Sequence, residues 1–163
     1  MSSAPNTLYV PAPNVYVVRF QNNTIVASEC APLIPELLEA SARAPITLIA
    51  SLPATTNSIH RSMVPFWLDQ MLHKGLRVKA IGVATQSRAV KVVVSGFAMA
   101  MKLGNMPIQA QCAPTEAAII EWAKSIEPPP GGSTPPAGNT PSFGSMPPGG
   151  IPPPSGSPQL ARF

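Results

Sequence analysis

Acidic side chains are missing from a long stretch of this 163-residue chain. None occurs between Asp69 and Glu116, while Lys74, Arg77, Lys79, Arg88, Lys91 and Lys102 all fall in that interval. Charge is sparse throughout, at 11 % of residues where an ordinary globular protein has roughly a quarter. Cysteine is nearly absent. Cys30 and Cys112 are too few for a disulfide framework, and with His60 and His73 they form no metal-ligand spacing, so neither a metal nor a cofactor is expected. Long apolar runs are lacking too: the longest, Val92 to Met101, is broken by Ser95 and Gly96 and falls short of the roughly 18 residues of a membrane span. Residues Met1 to Asn6 carry no basic region followed by an apolar block, so the expectation is a cytoplasmic chain with at most peripheral membrane contact. Nucleophile-elbow, Walker, dinucleotide-binding and zincin motifs are all missing, which points to a non-enzymatic role without catalytic residues.

Proline, by contrast, is abundant, and its 22 residues are unevenly placed. Twelve of them lie in the last 37 residues with seven glycines and five serines, dividing the chain into a domain over 1–126 and a tail over 127–163. Too few large apolar groups occur in the tail to offset chain entropy, so its composition predicts disorder with polyproline II character.

In the domain, Thr7 to Val10 and Val15 to Phe20 are β-branched and aromatic runs around a Pro11-Ala-Pro-Asn14 turn, predicting two strands. Ser28 is placed to cap a helix reaching Ser41, although Pro35 delays or bends its start. A buried strand is predicted over Ile46 to Ala50. Asn57 or Ser58 then caps a second helix to Lys74, kinked at Pro65 and closed by Gly75. Val78 to Val83 is a strand, Ser87 caps a helix over Arg88 to Lys102, Met106 to Gln111 is a strand, and Thr115 caps a last helix through Ile126. The order β-β-α-β-α-β-α-β-α defines an α/β fold on a mixed, largely parallel sheet.

That order resembles the STAS-like fold of anti-sigma-factor antagonists and sulphate-transporter tails, nearest to the branch grouped with lipid-binding Sec14-type domains. The likeness covers roughly residues 7 to 126. It is carried by the Val78–Val83 strand, Ser87-Arg88 opening an apolar helix, the strand at Pro107 to Gln111, and a closing helix from Pro114-Thr-Glu-Ala-Ala-Ile-Ile-Glu-Trp122. In anti-sigma-factor antagonists a phosphorylated serine follows an aspartate at the start of the helix after the central strand. The resemblance puts Asn57-Ser58 there, with Asn in place of Asp. This implies a phospho-switch or anion site at Ser58, Asn57, Thr56 and Arg61; helix capping is the alternative reading of the same residues.

Two further features suggest contacts. The 88–102 helix is apolar beyond one face, with Val90, Val93, Phe97 and Met101 assigned to the core. Val92, Val94 and Met99, with Lys91 and Lys102, are then a candidate interface. The basic interval favours an acidic protein partner, and the bases are too scattered and too poor in interleaved aromatics for nucleic acid. Self-association into a homo-oligomer is compatible with the same patch. The tail carries Pro147-Pro148-Gly149 before Gly150 and Ile151, a candidate ligand for a proline-recognising domain. Its end, with Leu160 and Phe163, is a candidate docking peptide. These features together predict an interaction module in a regulatory or scaffolding assembly, with the tail tethering a second partner. The alternative is a carrier or sensor of an anionic lipid or small ligand under the 88–102 helix, with Lys91 or Lys102 at the rim.

Overall fold

The computed structural model describes residues 5–127. Seven strands and four α-helices follow one another: β1 (Thr7–Ala12), β2 (Val15–Arg19), β3 (Thr24–Ile25), α1 (Ile34–Arg43), β4 (Ile46–Ser51), β5 (Ser58–Ile59), α2 (Met63–Leu72), β6 (Val78–Ala84), α3 (Arg88–Leu103), β7 (Gln109–Ala113) and α4 (Glu116–Ile126). Five strands form one sheet in the order β1-β2-β4-β6-β7, and β3 pairs with β5 in a separate two-stranded ladder. Only β1 runs antiparallel to its neighbour; the pairings of β2, β4, β6 and β7 are parallel. The expected mixed, largely parallel α/β architecture is present.

Sheet alternation sets the two faces. On central β4, Ile46 and Leu48 join a core with Leu37 and Ala40 of α1 and Met63 of α2, whereas Ile49 joins one with Ile119 and Ala123 of α4. Ala50 and Val83 face α3 through Val90 and Val94. Helices α1, α2 and α3 therefore cover one face and α4 the other. Helix α4 lies very close to the sheet at Gly82, where an added Cβ would sit 2.6 Å from Ile119 Cγ1. Any side chain there forces Ile119 out of place.

Two helices begin later than their sequence suggests. Ser28 lies in a 3₁₀ turn, Ala27–Glu29, and a second turn, Ala31–Leu33, precedes α1, so Pro35 falls in the first turn and bends nothing. Neither Asn57 nor Ser58 caps α2. Residues Ser58–Ile59 pair with Thr24–Ile25, Asn57 N donates to the Asn23 carbonyl at 3.3 Å, and His60 N to the Ile25 carbonyl at 2.8 Å. Burying Ile25 beneath this ladder keeps the segment extended, and α2 starts at Met63 with Pro65 in its first turn. Ser87 and Thr115 do cap as expected, their side chains accepting from Val90 N and Ala118 N. The last strand forms at Gln109–Ala113 rather than from Met106, because its ladder runs from Ala80↔Gln109 to Ala84↔Ala113.

The folded unit includes Glu127, which composition assigns to the tail. Its carboxylate accepts from Thr47 Oγ1 at 3.0 Å and pairs with Lys79 Nζ at 2.6 Å. Thr47 is fully buried, so this acceptor satisfies a hydroxyl with no access to water.

Candidate functional site: the outer ridge of the third helix

Helix α3 presents two apolar faces. Val90, Val94 and Met101 are buried, while Val92, Met99 and Leu103 are exposed by 72 %, 66 % and 81 %. At about 100° per residue, Ala89, Val92, Gly96, Met99 and Leu103 fall within about 80° of one another and form a ridge about 21 Å long. Val92 and Met99 are thus on the outer face, as their spacing suggests, but Val94 is not. Buried residues recur at 90, 94 and 101, so the core stripe passes through Val94 and leaves Val93 at the margin, 39 % exposed. Val94 is corrected from interface to core, and Leu103, beyond the expected helix end, joins the ridge.

Charge lies along one side. Arg88, Lys91 and Lys102 project from the flank of the ridge on the side of β7, where Lys91 is close enough to Cys112 to act on its thiol electrostatically. Among the described residues, none of the three makes an ion pair. Gly96 sits in the middle of the ridge with open space where a Cβ would be. Neither a positive φ nor an intramolecular contact accounts for glycine at this position, although it costs a helix interior about 0.5–1 kcal/mol relative to alanine. With Ala100 four residues on, it leaves a flat patch on which another backbone can lie close.

Beneath α3, an apolar cavity of about 110 Å³ is lined by the sheet and by residues of α2 and α3. Val18, Ala50 and Val83 lie along its sheet side, with Trp67 on α2 and Phe97 on α3. Lys91 and Lys102 are not among its lining residues, so the cavity offers no cationic rim of the expected kind.

The Ser58 segment is organised by β-pairing. Ser58 Oγ and Thr24 Oγ1 are 3.0 Å apart, Thr55 donates to Asn23 Oδ1 at 2.6 Å, and buried Thr56 donates to the Asn22 carbonyl at 3.3 Å. Arg61 is exposed, and His60 Nδ1 lies 2.8 Å from Ser62 Oγ. Because Ser58 precedes α2 by a strand and a turn, free helix N–H groups do not converge on it. The dipole argument for an anion there has no structural footing.

A polar cluster that sequence reasoning missed stands at the C-terminal end of the parallel strands. Arg19 Nε donates to Glu116 Oε2 at 2.9 Å, and the Tyr9 hydroxyl donates to the same carboxylate. The Arg19 guanidinium also lies over the Tyr9 ring, 4.5 Å from its centroid. Hydrogen bonds from Arg19 hold the Glu116 carboxyl down at about 2, well below its ordinary 4.5. Burial, and then the hydrogen bond to Glu116, raises the Tyr9 phenol. The partners are 97 and 107 residues apart in sequence, so no local motif announces them. Their bonds to one another join the start of α4 to β1 and β2, a structural clasp.

Burial pushes the Cys30 thiol up to about 12 and raises that of Cys112, which leaves neither as an activated nucleophile. Among the described residues no cluster of His, Cys, Asp or Glu has the makings of a metal site, and no helix is long and apolar enough to cross a membrane. The tail candidates, Pro147, Pro148, Gly149, Ile151, Leu160 and Phe163, lie outside the described residues. Comparisons with family models, with curated proteins and with solved structures found no match to this chain. None of these comparisons identifies a STAS-like family.

Proposed function

We propose that this domain is a protein-interaction module that docks an acidic amphipathic helix of a partner along the outer ridge of α3. One observation carries the reading: three large apolar side chains, Val92, Met99 and Leu103, stand mostly exposed in a row beside cations that make no ion pair among the described residues. Isolated exposed aliphatics are ordinary, but a continuous apolar strip marks an interface. Arg88, Lys91 and Lys102 favour carboxylates along the partner's flank, and α3 itself carries no acidic residue to oppose them. Gly96 and Ala100 favour a helix over a bulkier contact, because small residues let two helix backbones approach. A second copy of this chain fits less well. Antiparallel pairing of two α3 helices brings the same flank of each together, setting cations against cations.

The test is a photo-crosslinking amino acid at position 99 of the full-length chain, expressed in its native cells. Crosslinked peptides are then identified by mass spectrometry. The reading expects a segment of another protein with an apolar stripe and acidic flanks. Crosslinks confined to lipid or to copies of this chain overturn it.

A further inference from the structure

From the cavity beneath α3 we infer a second binding site, one that takes a small uncharged hydrocarbon group. The volume, about 110 Å³, is of the order of the roughly 150 Å³ apolar cavity known to accept benzene. It is smaller than the roughly 300–1,000 Å³ of common drug-sized and cofactor pockets. A monocyclic aromatic or a short alkyl end fits; a nucleotide does not.

The lining chemistry narrows the class further. Among the described residues, no charged, hydroxyl or amide side chain lines the space and only the Trp67 indole carries a polar hydrogen, so a ligand's polar group gains little there in exchange for its water. Solvent exposure within the fold marks the same place. Ala50 on central β4 and Ile81 on β6 stay partly exposed between neighbouring strands, although Leu48 beside them is buried. Both line the cavity, which reaches the surface between α2 and α3, where Trp67 and Phe97 are half-buried and Val93 is more exposed. A hydrocarbon seated there covers the apolar centre of the sheet that the helices leave open. The site is separate from the outer ridge and does not depend on a partner binding there.

Toluene, with phenol as its polar counterpart of similar size, tests the inference on the full-length chain. Methyl NMR spectra during titration should show saturable shifts at Ile81, Val93 and Val94 with toluene, and at least tenfold weaker binding of phenol. Toluene should also raise the melting temperature, since it binds only the folded state. Val93→Trp fills the mouth, and Ala50→Leu fills the sheet side; each should reduce toluene binding at least tenfold. The inference is overturned if wild-type chain shows no saturable methyl shifts, if phenol binds as well as toluene, or if folded filling variants respond like wild type.

Discussion

Glu116 is held ionised by donors from Arg19 and Tyr9, and the sign of its contribution to stability follows directly. Its folded value, about 2, is below the ordinary 4.5, so the clasp stabilises the fold above the unfolded value. That contribution is lost as pH falls from about 4.5 towards 2. Urea unfolding at pH 7 should therefore find wild type more stable than Glu116→Gln, and the gap should shrink steadily between pH 4.5 and 2.5, to roughly a quarter of its pH 7 size at pH 2.5. Glu127 is a second residue with a defined task. Glu127→Ala leaves the buried Thr47 hydroxyl without its acceptor and should cost about 1–3 kcal/mol in the same measurement. Adding Thr47→Val should recover part of the loss, because the orphaned hydroxyl is then gone. Neither task is legible in the sequence. Glu127 precedes three prolines and reads as linker, and its partners Thr47 and Lys79 are 80 and 48 residues away.

At the scale of elements, most of the fold was legible because each main strand and helix carries its own period. The run Ile46 to Ile49 is buried throughout, as its β-branched and mostly apolar sequence suggests for a central parallel strand, and Ser87 and Thr115 cap where their hydroxyls are placed. Helix starts failed where tertiary pairing outweighed local preference. A two-residue ladder holds Ser58 extended, and only the partner at Thr24–Ile25 explains it. On α3 the two apolar faces are too alike in composition for spacing to separate Val93 from Val94; packing against Val83 makes the choice. Gly96 gives an element-scale prediction. Gly96→Ala, which meets no neighbour, should stabilise the chain by about 0.5–1 kcal/mol in thermal or urea unfolding. Gly96→Leu should leave the fold intact yet weaken partner binding at least tenfold, since the larger side chain holds the partner helix away.

Over the whole chain charge is sparse, and within the acid-free interval of 46 residues, Gln70 to Thr115, Arg88, Lys91 and Lys102 give α3 a local positive field. Such a field speeds and orients association, and its influence shrinks as salt screens it. In the proposed docking, apolar burial on the ridge supplies affinity and the cations supply orientation, so the two parts are separable by mutation. The decisive measurement is the affinity of the segment crosslinked at position 99, made as a peptide, for three full-length chains at low and high salt. Wild type should bind with an affinity that falls as salt rises. Met99→Asp should bind at least tenfold more weakly at either salt, and Lys91→Glu with Lys102→Glu should bind weakly with little salt dependence. Equal affinity for all three chains would contradict the account.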